Sequence, residues 1–167
     1  LEWFGLPPHF VYAAAGFNYS ERKTPMKVSA RTVLKGTVLT VNDGAVNSEV
    51  TMELPGGEQL VAVVTCESVK NLNLAPGSEA IALIKAPWVM LMTDADGIRL
   101  SARNCLKGNV ISVSDGAVNA EVVIELSGGS RVSSIVTRDA VEELGLKPGV
   151  SASAVIKASH IILAVPA

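Results

Sequence analysis

Ser29-Ala30-Arg31 returns as Ser101-Ala102-Arg103, and the interval between these two segments decides how the chain is built. The same shift carries Gly44-Ala45-Val46-Asn47 onto Gly116-Ala117-Val118-Asn119 and Gly56-Gly57 onto Gly128-Gly129. It also carries Pro76-Gly77 onto Pro148-Gly149 and Lys85-Ala86 onto Lys157-Ala158. No insertion interrupts the register. Self-similarity at a fixed period marks a repeated structural unit. Two copies of one small domain are therefore expected, at residues 26–95 and 98–167. The junction near Asp94-Ala95-Asp96-Gly97 is rich in turn formers and too short for a flexible tether.

Each copy reads as mostly β. Gly36 to Val41, Glu49 to Leu54, Gln59 to Thr65 and the run through Ile81 to Met92 are rich in Val, Ile, Leu and Met, with partial alternation. Asn42-Asp43-Gly44 and Pro55-Gly56-Gly57 have the residues of tight hairpins, with glycine expected where φ must be positive. Thr65 stands as a helix cap before Cys66-Glu67-Ser68-Val69, and Thr137 before Arg138-Asp139-Ala140-Val141-Glu142-Glu143. Pro76-Gly77 and Pro148-Gly149 are expected to stop these helices and turn the chain back. The expected fold is all-β with one short helix per repeat: two tandem OB-like five-stranded β-barrels.

Domains of about 70 residues bury little of their surface, so association is expected to supply part of their stability. Of the 167 residues 49% are apolar and 18% charged, which argues against disorder for most of the chain. No stretch approaches the roughly 18 to 20 apolar residues of a membrane span: Lys85 and Pro87 break the most apolar segment. A net charge of −2 argues against a general nucleic-acid binder. Six of the seven aromatic residues lie before residue 25, leaving only Trp88 in the repeats. A base-stacking OB surface needs more. The two cysteines, Cys66 and Cys105, are out of register with each other, and reduced thiols in the cytoplasm are expected over a disulfide. Residues 1–25 read as a leader or extension, with a packing arm as the other reading.

Chemistry concentrates in two short segments. Side chains two apart on an extended strand share a face, so Ser29 and Arg31 point together, as do Ser101 and Arg103. A hydroxyl beside a guanidinium fork suits an oxyanion; the bland reading is a strand-end serine with a surface arginine. Lys85 and Lys157 each interrupt an apolar strand, either lying at a rim with the stem on apolar surface or meeting an anion. The small residues beside them, Ala86, Ala158 and Ser159, would let backbone amides approach a bound ion. A buried dianion needs several donors at once, since each charge-assisted bond contributes roughly 1.5 to 3 kcal/mol. The turns Gly44-Ala45-Val46-Asn47 and Gly116-Ala117-Val118-Asn119 are hairpin or interface turns on one reading, second-class oxyanion sites on another. His9 and His160 lack Cys or His partners at metal-ligand spacing. There is no phosphate-binding glycine loop, nucleophile elbow or tuned carboxylate pair, so no enzyme is expected.

Ser101-Ala102-Arg103-Asn104 followed by Leu106-Lys107-Gly108, then Asp115 to Val122 and Val155-Ile156-Lys157-Ala158-Ser159, resembles a molbindin (Mop) domain, and the tandem is similar to cytoplasmic di-Mop molbindins. The resemblance runs from Met26 to Ala167. It implies binding of molybdate or tungstate between Mop domains, with no organic cofactor and no bare metal cation. It points to Ser29, Ala30, Arg31, Ser101, Ala102 and Arg103, facing Lys85, Ala86, Lys157, Ala158 and Ser159 of a neighbour. Ser68 matches a further family ligand, while its counterpart is Ala140, and Pro87 stands where the second copy has Ser159. The usual assembly has six Mop domains, which for a tandem chain implies a homotrimer. Storage of the oxyanion is the expected function. The alternatives are the oxyanion-sensing fragment of a molybdate-responsive transcription regulator, whose helix-turn-helix region residues 1–25 cannot supply, and an accessory domain of a transport ATPase.

Overall fold

A computed structural model describes residues 27–94 and 97–166; the reading of residues 1–25 lies outside them. The first repeat runs β1 (Thr32–Asp43), β2 (Asn47–Glu53), β3 (Gln59–Thr65), α1 (Cys66–Asn71), β4 (Glu79–Ile84), a 3-10 turn (Ala86–Trp88) and β5 (Val89–Met92). The second repeats it as β6 (Asn104–Asp115), β7 (Asn119–Leu126), β8 (Arg131–Thr137), α2 (Arg138–Glu143), β9 (Ser151–Ile156), a 3-10 turn (Ala158–His160) and β10 (Ile162–Ala164).

The long first strand makes the barrel. Thr32 to Thr37 pair with β4 and Thr37 to Asp43 with β2, and a bulge between Val38 and Thr40 bends the strand where it changes partner. β6 repeats this, with its bulge between Val110 and Ser112. Alternation then fills each interior. Leu34 and Val38, Val50 and Met52, Leu60 and Ala62, and Ala82 and Ile84 point inward in the first barrel. Leu106, Val110, Val122, Ile124, Val132, Ala154 and Ile156 do so in the second.

The barrels are not assembled repeat by repeat. One five-stranded sheet has the order β10-β4-β1-β2-β3 and the other β5-β9-β6-β7-β8, so each barrel takes its fifth strand from the other repeat. The sequence presents Ile81 to Met92 as one apolar run. In the structure Lys85 is the extended residue before a 3-10 turn, Pro87 fixes the turn's first residues, and the chain leaves its own sheet. β5 then pairs with β9, Val89 opposite Ile156, while β10 pairs with β4, Ile162 opposite Leu83. Val89 and Leu91 are buried in the partner barrel, as Ile161 and Leu163 are in the other.

Two local expectations change. Gly57 has φ +84°, as the hairpin requires, but Gly44 does not have positive φ. Gly44 is small for another reason: a Cβ there would lie 2.7 Å from the Asn47 carbonyl, to which the Gly44 amide donates (2.9 Å). The helices are capped as expected, the Thr65 hydroxyl accepting from the Ser68 amide (3.0 Å) and Thr137 from Ala140 (3.2 Å). They end at Asn73 (φ 50°) and Gly145 (φ 61°), ahead of the prolines. Pro76-Gly77 instead turns the chain into β4, and the Gly77 amide donates to Val38.

Buried polar groups join the barrels. The Thr32 hydroxyl accepts from the Ser133 amide (2.9 Å), and at the equivalent place Asn104 Oδ1 accepts from the Val61 amide (2.7 Å). Asn104 goes further, its amide nitrogen donating to the carbonyls of Val61 (2.8 Å) and Ile156 (3.2 Å). The hairpin turns also meet: Glu58 Oε1 accepts from the Ser127 amide (3.1 Å) and hydroxyl (2.5 Å). These bonds, the hydroxyl's first, hold the Glu58 carboxyl below its ordinary range.

Asn104→Ala should destabilise the protein more than Thr32→Ala, because it leaves both polar groups of Val61 without that partner. A buried group left unpaired costs roughly 1–3 kcal/mol. Urea unfolding midpoints of the two variants check the order.

Candidate functional site

The ends of the β1/β4 and β6/β9 ladders place the candidate residues. Thr32 faces Ile84, so one step further Arg31 stands beside Lys85; Asn104 faces Ile156, so Arg103 stands beside Lys157. The exchanged strands add a third position on the other side. The β10/β4 register puts His160 next to Lys85, and the β5/β9 register puts Trp88 next to Lys157. Trp88 and His160, which occupy the same place in the two repeats, meet with ring centroids 5.4 Å apart and planes tilted by 34°. The Lys85 ammonium lies 5.6 Å from the centre of the Trp88 ring.

Beside this pair is a cleft of about 400 Å³, into which Lys157, Ser101 and Ala102 all open. Pro87, Trp88, Met90, Val155 and His160 complete its wall. No carboxylate lines it, and among the described residues neither Lys85 nor Lys157 forms an ion pair. A larger cavity, about 800 Å³, follows the outer face of β6 near Glu58 and Ser127 and contains none of the predicted site residues.

The arginines are committed to carboxylates of the other repeat. Arg31 Nε and Nη2 donate to the two oxygens of Glu121 (2.8 and 2.9 Å). Arg103 Nη1 and Nη2 donate to Glu49 (2.6 and 3.1 Å). Glu49 and Glu121 are themselves repeat counterparts, so the two pairs are reciprocal. Hydrogen bonding to Glu121, and then its charge, push the Arg31 guanidinium above its ordinary range. With each fork holding a carboxylate, little net charge remains for an anion, and the lysine is the unpaired cation of the cleft.

The small residues beside the lysines begin the two 3-10 turns. Ala86 and Ala158 bury their methyl groups. Their 3-10 turns close by hydrogen bonds in which the Trp88 amide donates to the Lys85 carbonyl (2.9 Å) and the His160 amide to the Lys157 carbonyl (2.9 Å). Ser159 keeps an amide and a hydroxyl at the start of its turn, where Pro87 has neither. Ser68 is elsewhere in its own repeat: its hydroxyl pairs with Thr65 (2.8 Å) at the start of α1. Asn47 faces Thr65, so Ser68 lies near the end of the barrel that carries Glu49, the partner of Arg103.

The Gly-Ala-Val-Asn turns project from both barrels, with Val46 71% and Val118 73% exposed. The Gly44 and Gly116 amides close their own turns on the carbonyls of Asn47 and Asn119. In the first copy the Ser48 hydroxyl also donates to Asp43 (2.6 Å), and the Cys66 thiol to the Gly44 carbonyl (3.4 Å). Ala120 and Arg138 replace Ser48 and Cys66 in the second.

Two sets of residues were missed from the sequence. Glu49 and Glu121 recur at the repeat interval, which was the available signal; Trp88 and His160 differ in type and gave none. Among the described residues no group of three His, Cys, Asp or Glu side chains forms a metal site, and no helix is long and apolar enough to cross a membrane.

The TOBE-domain family model matches residues 28–91 and again 100–163. The chain belongs to the TOBE-domain family. It is 45% identical over 141 residues to the molybdenum-pterin-binding protein MopA of Rhodobacter capsulatus, covering 84% of this chain and 53% of that one. With MopB of the same organism it shares 41% over 145 residues, covering 87% and 54%. The chain thus spans about half the length of these two relatives. The crystal structure of the cytoplasmic molybdate-binding protein ModG with molybdate bound superposes with a TM-score of 0.83 at 61% identity, covering 84% of this chain and all of that one. The tandem molbindin resemblance read from the sequence therefore holds across both TOBE repeats.

If the cleft takes an oxyanion as the resemblance implies, Arg103→Ala should weaken that binding by leaving the Glu49 carboxylate without its partner, and adding Glu49→Gln should restore much of the loss. Calorimetric titration of the single and double variants measures both.

Proposed function

We propose that this TOBE tandem binds molybdate or tungstate and stores it in the cytoplasm, without catalysis of its own. The observation that carries this reading is the convergence of Ser101, Ala102 and Lys157 on one cleft that no carboxylate lines. Lys157 supplies charge and Ser101 a hydroxyl, while the backbone around Ala102 and Ser159 offers amides to replace the hydration a dianion loses. Ser29, Ala30, Lys85 and Ala86 form the counterpart in the other copy, Arg31 and Arg103 hold the rims against Glu121 and Glu49, and Ser68 adds a donor on one side only. The Gly-Ala-Val-Asn turns are assigned a lesser role, because their glycine amides are already bonded.

A cleft this open does not enclose an ion. The remaining donors come from another copy of the chain in a homotrimer, whose contacts would also cover exposed apolar residues such as Val46, Val118, Met90 and Ile162. Storage is preferred to the sensing fragment of a transcription regulator because the ModG chain, described as a binding protein, is matched over its whole length.

Titration with molybdate, tungstate, sulfate and phosphate should show tight binding of the first two and weak binding of the others, with native mass spectrometry giving a trimer. Lys157→Ala should weaken molybdate binding by about tenfold or more, the loss of one strong charge-assisted contact, with its thermal midpoint unchanged. Sulfate binding as tightly as molybdate, or no binding by the intact chain, would sink the reading.

A further inference from the structure

We propose that Trp88 is the positioning residue that makes the two lysine turns unequal, holding Lys85 back while leaving Lys157 free, so that the Lys157 site fills first. The inference rests on the oxyanion reading above and adds an order to its sites. Trp88 touches both candidate sites at once. Its ring carries the Lys85 ammonium at 5.6 Å, and the residue also walls the cleft into which Lys157 and Ser101 open. Its repeat counterpart is His160, whose ring meets that of Trp88 at a tilt. The arrangement is therefore two-fold in its backbone and one-sided in its chemistry.

A cation over an indole face is attracted by the ring's quadrupole. Lys85 must leave that face to meet an anion, whereas among the described residues Lys157 has no such contact. At a partly exposed site this handicap corresponds to a factor of roughly two to five in affinity. Trp88 is 38% exposed, so the ring is reachable by solvent and the ammonium can move off it without unpacking the core.

The experiment uses the assembled full chain titrated with sodium molybdate. Two classes of site are expected, and Lys157→Ala should remove the tighter. Trp88→His makes the two turns alike and should tighten the weaker class by roughly two- to fivefold. A folded Trp88→His protein whose weaker class is unchanged overturns the proposal, as does loss of the tighter class in Lys85→Ala instead. Pro87→Ser separates ring from donor number: if it alone equalises the classes and Trp88→His does not, the proposal fails. A second readout needs no variant. The Lys85 ε-methylene protons should be shifted upfield by the indole ring in the free protein and relax as molybdate saturates the weaker class; protons that do not move on saturation overturn the proposal. Absence of any molybdate binding overturns the oxyanion reading itself, whereas binding with an unaltered weaker class overturns only the part assigned to Trp88.

Discussion

The antiparallel ladder between β5 and β9, matched by that between β10 and β4, is what the rest of the molecule depends on. Each small barrel lacks a fifth strand of its own, and the missing edge is supplied by the other repeat. The exchange buries Val89 and Leu91 on one side and Ile161 and Leu163 on the other. It also forces the two 3-10 turns to cross, because each must carry the chain from one sheet to the other. Trp88 meets His160 at that crossing, and the lysines that open the turns come to lie beside it.

Around the crossing the polar contacts come in reciprocal pairs. Arg31 takes Glu121 and Arg103 takes Glu49; Thr32 and Asn104 each hold an amide of the opposite barrel. Exposed ion pairs of this kind add little to stability, but they set where charge is available. An arginine already bonded to a carboxylate positions a rim, and on the proposed reading the lysine beside it is the group that meets the oxyanion. Some of the departures from symmetry fall at the same place: Pro87 against Ser159, Trp88 against His160, Thr32 against Asn104.

Most of the fold was legible because its signals are local. β3 lies where the alternation placed it, both helix caps are the expected threonines, and the repeat register holds throughout. What was not legible depends on distance in the chain. An apolar run broken by Pro87 looks the same whether it returns to its own sheet or leaves it. Strand β1 begins at Thr32 rather than at Gly36, because Thr32 to Lys35 are ordered by β4, which lies far along the chain. For the proposed site, the Ser-Ala-Arg and Lys-Ala segments were picked out by residue type and by their repetition. Their carboxylate partners were not, since Glu49 and Glu121 are ordinary residues of inner strands until the other barrel arrives.

The exchanged strand also bears on how such a chain arises. Because each barrel is completed by the opposite repeat, the residues from Asp94 to Gly97 join two units that already interlock. Two separate single-repeat chains trading their last strands would form the same pair of barrels. Fusion of two gene copies would then preserve an existing dimer as one polypeptide. Mutations could afterwards accumulate on one half alone, which is how a symmetric scaffold acquires a tryptophan opposite a histidine.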